Sequence, residues 1–238
     1  MLEVRDVEFS YGPLQVLFGV DLVVHSDERV ALLGTNGAGK STLLKIISGL
    51  ETPSTGAVVF DGDDITRWSP EQRVRAGIVQ MPGGRATFPT LSVAENLRIG
   101  GYTFRSDGAR LSAAVDGVLD LFPALRERLR LPAGALSGGE QQMMAVARAL
   151  VAQPRLLLID ELSLGLAPIV IAELLKVVEQ LTSDGVTLLL VEQSLNVAMT
   201  VADRAYFMEK GEIRFEGATS ELAERDDIAR SVFFGVRA

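Results

Sequence analysis

The stretch "GTNGAGKST", comprising Gly34, Thr35, Asn36, Gly37, Ala38, Gly39, Lys40, Ser41 and Thr42, leaves this chain few folds to choose from. Its fixed positions fit G-x-x-x-x-G-K-[ST], and it stands between an apolar run, "RVALL", and a helix-patterned one, "LLKIISGL". Gly34, Gly37 and Gly39 let the backbone curl so that its N–H groups face inward, and the following helix points the positive end of its dipole at the same place. Such a loop holds phosphate oxygens. Lys40 is placed to reach the terminal phosphates and Ser41 to ligate Mg2+. The order of strand, loop and helix commits this part of the chain to an α/β unit.

The remaining pattern agrees. "LEVRDVEF" alternates apolar and polar residues as a half-buried strand does, and "VLFGVDLVV" continues in the same manner, so the opening is β-rich. Apolar β-like runs recur at "GAVVF", "GIVQM", "RLLLID", "VTLLLVE" and "RAYFME", several of them separated by helical patterns such as "KSTLLKIISGL" and "GGEQQMMAVARALVAQ". That alternation implies a mainly parallel sheet covered by helices. Residues 69–131 are less regular and read as a helical insertion between parts of the core. The stretch "TSELAERDDIARSVFFG" reads as a helix with a threonine or serine start. At 238 residues and 47% apolar content, the chain can fill one large core.

Charge and composition narrow the function. A net charge of −8 opposes the clustered Lys and Arg of a nucleic-acid footprint, so no nucleic-acid partner is expected. There is no cysteine, hence neither disulfide framework nor thiolate chemistry, which fits a reducing compartment. The start "MLEVRDVEFSYG" carries charges where a signal peptide needs an apolar core, and no apolar run approaches the ~20 residues that span a bilayer.

A metal-bound nucleotide needs a second anchor for its ion at the end of a buried strand. "LLLIDE" supplies one: Asp160 would hold Mg2+ directly or through water, and Glu161 could orient and deprotonate an attacking water. Taken alone, a strand ending in Asp-Glu is an ordinary strand-end turn, but behind the phosphate loop the metal reading is the better one. Just upstream lies "LSGGEQQ", with Leu136, Ser137, Gly138, Gly139 and Glu140. Ser137 is set to cap a helix whose first N–H groups are free for a phosphate.

With these three motifs in order, the chain resembles an ATP-binding cassette (ABC) ATPase over essentially its whole length. The resemblance implies a P-loop α/β nucleotide-binding domain over residues 1–238, with an N-terminal antiparallel β subdomain. It also implies an inserted helical subdomain of about residues 69–152 that includes the signature helix. It implies ATP and Mg2+ as ligands and a head-to-tail dimer, in which the signature residues 136–140 of one subunit meet the ATP on the other's phosphate loop. Tyr11 in "SYG" falls where the family stacks an aromatic on adenine, though such a Tyr can equally be a strand-end packing residue. "SLGLAP", Ser163 to Pro168, resembles the loop that touches the opposite subunit.

The finer likeness is to the smaller ATPase subunit of importers for branched-chain amino acids and related amides, carried by "ISGLETPSTG", "GRATFP", "SLGLAP", "VEQ" and "ARSVFFG". It implies a partner ATPase subunit, in a heterodimer or homodimer, integral membrane permease subunits, and a substrate-binding protein engaged indirectly. The chain would then sit peripherally on the cytoplasmic face of the membrane. The alternative is a soluble, non-transport ABC ATPase. Chromosome types need a long coiled coil and translation types usually join two cassettes in one chain; neither feature is in this sequence.

Several positions depart from the family pattern. Counting back from "FPTLSVAEN" puts Gly83 where a metal-sensing glutamine or glutamate is usual, with Gln80 three residues earlier inside a strand; glycine offers the metal no oxygen. Leu162 replaces a proline after Glu161, which frees an N–H and loosens φ. Gln193 stands where most of the family has a γ-phosphate-contacting histidine: it keeps an N–H donor and loses a switchable charge. Gln193 has a second reading, as a cap for the helix "SLNVAMTVADR". His25, the one histidine, reads as an exposed turn residue, and Met143 and Met144 as packing of the signature helix. "RERLRL", Arg126 to Leu131, reads as a solvated helix face, with partner contact as a lesser reading.

Overall fold

Residues 1–84, 86–163 and 165–224 are described by a computed structural model of the chain. Two long strands, β1 (Leu2–Tyr11) and β2 (Leu14–Val24), pair antiparallel. β3 (Arg29–Gly34) then runs through the glycine loop into helix α1 (Lys40–Ser48). β4 (Thr55–Phe60) and the short β5 (Asp63–Asp64) complete a four-stranded antiparallel sheet in the order β2-β1-β4-β5. The middle of the chain holds α2 (Pro70–Ala76), β6 (Ile78–Met81), α3 (Val93–Gly100), α4 (Gly108–Leu121), α5 (Pro123–Arg126) and α6 (Gly138–Val151). β7 (Leu156–Asp160), α7 (Pro168–Ser183), β8 (Thr187–Glu192) and α8 (Leu195–Val201) lead to the hairpin of β9 (Arg204–Glu209) and β10 (Glu212–Ala218), and then to α9 (Thr219–Glu224).

The second sheet has the order β10-β9-β3-β8-β7-β6, parallel throughout except for the β9–β10 pair. Its inner strands are covered on both faces, which is why they read as unbroken apolar runs. β7 sorts by parity: Leu156 and Leu158 pack towards β1 and α1, while Leu157 and Ile159 pack towards α3, α6 and α7. β8 divides likewise, Leu189 and Val191 to one side and Leu188 and Leu190 to the other. Each such leucine contributes about 1.5–3 kcal/mol by burial, and together they clamp the parallel sheet between the antiparallel sheet and the helices.

Local sequence fixes the helix starts. Ser69 with Gln72, Ser92 with Glu95, and Ser137 with Glu140 each form a reciprocal capping box, satisfying N–H groups that the helices leave free. The far end of α1 is closed by a distant side chain. Arg73, with no exposed surface, donates to the carbonyls of Ile46 (2.5 Å), Ile47 (2.8 Å), Ile65 (2.7 Å) and Thr66 (3.1 Å). Burial pushes its pKa down to about 10.

One sequence expectation needs correction. "RERLRL" is largely solvated, as expected, but is not a helix face: α5 stops at Arg126, and the carbonyls of Leu129 and Leu131 accept from the N–H groups of Ala94 and Val93 at the start of α3. Arg126 bonds Asp120 at 2.6 Å, and Arg128 pairs with Glu140 of the signature at 2.8 Å. Charge pattern alone could not show that these carbonyls serve another helix's free N–H groups. Of the stretch "TSELAERDDIARSVFFG", α9 covers the start, and residues 225–238 lie outside the described residues. No helix among the described residues is long and apolar enough to cross a membrane.

Candidate nucleotide site

Because β3, β8, β7 and β6 are parallel neighbours, their carboxyl ends open on one edge of the sheet. Leu33 lies opposite Glu192, Asp160 opposite Val191, and Met81 opposite Ile159. The glycine loop, the pair Glu192-Gln193, the pair Asp160-Glu161 and the turn at Gly83 therefore emerge side by side. Open α/β sheets bind their ligands at this edge.

Gly34 starts the loop with φ 155°, and a Cβ there would stand 2.1 Å from the Met208 carbonyl of β9, so only glycine allows so close an approach. Gly39, at φ 105°, turns the chain into α1 with no side-chain cap, leaving the first N–H groups of the helix facing the loop. Asn36 and Gly37 are exposed at its tip, whereas Ala38 and Thr42 are buried beneath. The Lys40 ammonium is 6% exposed and bridges the carbonyls of Gly34 (2.8 Å) and Thr35 (2.9 Å). Burial lowers its pKa, against the opposing pull of Glu161 and Asp160.

Asp160 is 8% exposed, and its pKa is raised chiefly by burial, with the nearby Ser41 hydroxyl acting the other way. One of its oxygens, Oδ1, is buried without a hydrogen-bond partner. A buried, unpartnered carboxylate oxygen beside a hydroxyl suits a hard divalent cation, so Ser41 and Asp160 fit Mg2+. Gly83 lies against this carboxylate: a Cβ on it would be 3.2 Å from the Asp160 carbonyl and 3.7 Å from its Cγ. The position facing Asp160 thus carries no side chain, and Gln80 is within β6, opposite Leu158.

Glu161 adopts φ 55° and donates its backbone N–H to the Val191 carbonyl at 2.9 Å. Its carboxylate accepts a hydrogen bond from the Gln193 side-chain amide. Ser194, not Gln193, caps α8, accepting from the Val197 N–H at 3.4 Å. Leu162 is fully buried, and its carbonyl accepts from Gln142 of α6 at 3.3 Å. Ser163 gives both its N–H and its hydroxyl to Glu192, which is 2% exposed. Sequence reasoning passed over Glu192 and Gln142. The signal for Glu192 was an acidic residue closing a strand otherwise built of Thr, Leu and Val.

The signature forms the start of α6, with Leu136 buried and Ser137 as N-cap. At Gly139 a Cβ would come within 2.9 Å of Val170, so α6 begins pressed against the first turn of α7. Among the described residues, no hydrogen bond links residues 136–140 to residues 34–42. Tyr11 is 41% exposed at the end of β1, edge-on to Phe9 at 4.8 Å, with Lys45 of α1 5.9 Å from its ring. His25 is exposed in a turn closed by its N–H to Glu28 at 2.8 Å. Met144 is buried and Met143 half-buried in the core around α6. A groove of about 390 Å³ lies between α2, β6, α3 and α6, where Phe88, Ile99 and Tyr102 are exposed.

A family model described as "ABC transporter" matches residues 17–163. The chain is 45% identical over 213 residues to the high-affinity branched-chain amino acid transport ATP-binding protein BraG of Pseudomonas aeruginosa, covering 90% of this chain and 91% of that one. It is similar to the crystal structure of a nucleotide-free ATP-binding cassette from an ABC transporter, with a TM-score of 0.90, 25% identity and 99% of each chain covered. It is also similar to a dimeric, post-hydrolysis ATP-binding cassette bound to ADP and phosphate, with a TM-score of 0.82, 25% identity, and 92% of this chain and 99% of that one covered.

Proposed function

The chain belongs to the ABC transporter ATP-binding family, and from that premise we propose that it is the ATP-hydrolysing subunit of an importer for branched-chain amino acids or related amino acids and amides. The observation that carries the reading is the convergence of Lys40, Ser41, Asp160, Glu161 and Gln193 at the ends of three adjacent parallel strands. The name of the 45% identical relative supports the substrate class.

In this reading the N–H groups of residues 34–42 and the Lys40 ammonium hold the phosphates of ATP, and Tyr11 stacks on the adenine. Ser41 and Asp160 hold Mg2+, which neutralises charge on the phosphates. Glu161 takes the proton of the attacking water, and the Gln193 amide orients that carboxylate while offering an N–H to the γ-phosphate. Residues 136–140 serve the ATP on a second ATPase subunit, of the same or a different kind, in a head-to-tail dimer; the likeness to a dimeric cassette supports this. The chain is one domain whose arm of about residues 69–152 carries the signature.

The apolar groove beside Phe88, Ile99 and Tyr102 supports docking to an integral membrane permease, which would keep the chain peripheral on the cytoplasmic face, with a substrate-binding protein engaged through the permease. The test has two arms. Purified chain should bind and hydrolyse Mg-ATP, with both lost in Lys40→Ala, and a pull-down from membranes should recover a permease. Hydrolysis that survives Lys40→Ala sinks the ATPase reading; a membrane pull-down without any integral membrane protein sinks the transport reading.

A further inference from the structure

Glu192 closes β8, and its two oxygens are surrounded by donors: Ser163 N–H at 3.0 Å to Oε1, and the Ser163 hydroxyl at 2.9 Å and the Gln193 N–H at 3.3 Å to Oε2. A buried carboxylate is costly unless hydrogen bonds replace its water. Here burial pushes the Glu192 pKa up while the bonds from Ser163 and Gln193 pull it back. The same face of β8 carries the buried Leu188 and Leu190, so the strand sets an acid where its own pattern would place an apolar residue.

What the carboxylate adds is a fixed spacing between two chain segments. Glu161 and Ser163 are two residues apart after β7; Glu192 and Gln193 are adjacent at the end of β8. Gln193 holds Glu161 and Glu192 holds Ser163, so the two strand ends are laced together twice. The Glu161 N–H to Val191 carbonyl bond of 2.9 Å completes the lacing. Freed from Glu192, Ser163 would retain no other hydrogen-bond acceptor for its hydroxyl among the bonds of the described residues.

We propose that Glu192 is a positioning residue for hydrolysis: it holds Ser163 at one distance from the strand end that bears Gln193, and so keeps the Glu161 carboxylate aligned when the second subunit closes on the loop beginning at Ser163. This rests on the reading of Glu161 as the base and of that loop as the face towards the second subunit. Glu192 acts through Ser163 and Gln193.

The test is single-turnover hydrolysis with the purified full chain in excess over Mg-ATP, together with ATP affinity by equilibrium binding. Glu192→Gln keeps the shape but sets an NH2 against donors, and Ser163→Ala removes the hydroxyl without touching the buried acid. Each should slow the single-turnover rate by about 10- to 100-fold, the scale of a small misplacement of a reacting group, with ATP affinity within twofold of wild type. The double variant should be no slower than the slower single one. Rates within fivefold of wild type in both variants, or ATP affinity falling in step with rate, overturn the proposal. Should Glu192→Gln fail to fold, Ser163→Ala decides alone on the same criteria. Lys40→Ala separates the two readings: if it hydrolyses like wild type, the ATPase reading falls, whereas if it is inactive and both other variants are normal, only the role of Glu192 falls.

Discussion

The side-chain amide of Gln193 donates to the carboxylate of Glu161, across an interval of 32 residues. This contact joins the end of β8 to the residue proposed to activate water, and an amide makes it without a titratable proton. Replacing Gln193 by leucine should lower the single-turnover rate by about tenfold or more, as expected when a reacting group loses its orientation. An unchanged rate would show that Glu161 needs no such partner.

Glu161→Gln should trap bound ATP and lower turnover by about 10²- to 10⁴-fold, the usual contribution of a positioned base. The measurement is steady-state phosphate release beside retention of radiolabelled nucleotide. A change under threefold would remove Glu161 from that role.

Gly83 bears on the metal. Because it faces Asp160 with only a Cα hydrogen, Gly83→Gln would bring an oxygen to the anchor that the chain itself lacks. The Mg2+ concentration for half-maximal turnover should fall, by up to about tenfold if the new oxygen orients the metal's shell. Gly83→Ala adds the crowding of a Cβ at 3.2 Å and no oxygen, and should not lower it. Equal effects of both substitutions would assign the change to crowding.

Arg73→Met, close in volume, should destabilise the protein by about 2–4 kcal/mol in urea denaturation, because four carbonyls, those of Ile46, Ile47 and Ile65 buried and that of Thr66 partly so, lose a charged donor together. A loss below about 1 kcal/mol would mean that water replaces the guanidinium.

What could be read in the sequence was what is local. The phosphate loop, the strand ending in Asp160-Glu161 and the cap at Ser137 each declare themselves within a few residues, because helix caps and loop curvature are set by nearest neighbours. The inner strands were legible for a different reason: burial on both faces makes them apolar throughout. The illegible parts depend on register between distant segments. Glu192 meets Ser163 only because β7 and β8 pair with Asp160 beside Val191, and a one-residue shift would break that meeting. Nothing local distinguishes Arg73 from Arg75 in "EQRVRAG"; its four carbonyl partners are brought to it only when α2 folds onto the end of α1. "RERLRL" misled because its charges drew the eye from the carbonyls, which are what α3 uses.

The grip of Arg73 has a mechanical consequence. α2 is bound to the end of the phosphate-loop helix by that guanidinium, and β6 is hydrogen-bonded into the main sheet, so neither can tilt without the core. Any movement of the segment between Met81 and β7 relative to the sheet would therefore pass through the turn where Gly83 rests on Asp160 at one end and through residues 152–155 at the other. The first of these joints lies directly against the carboxylate proposed to hold the metal, so a shift there would be felt at Asp160 by contact.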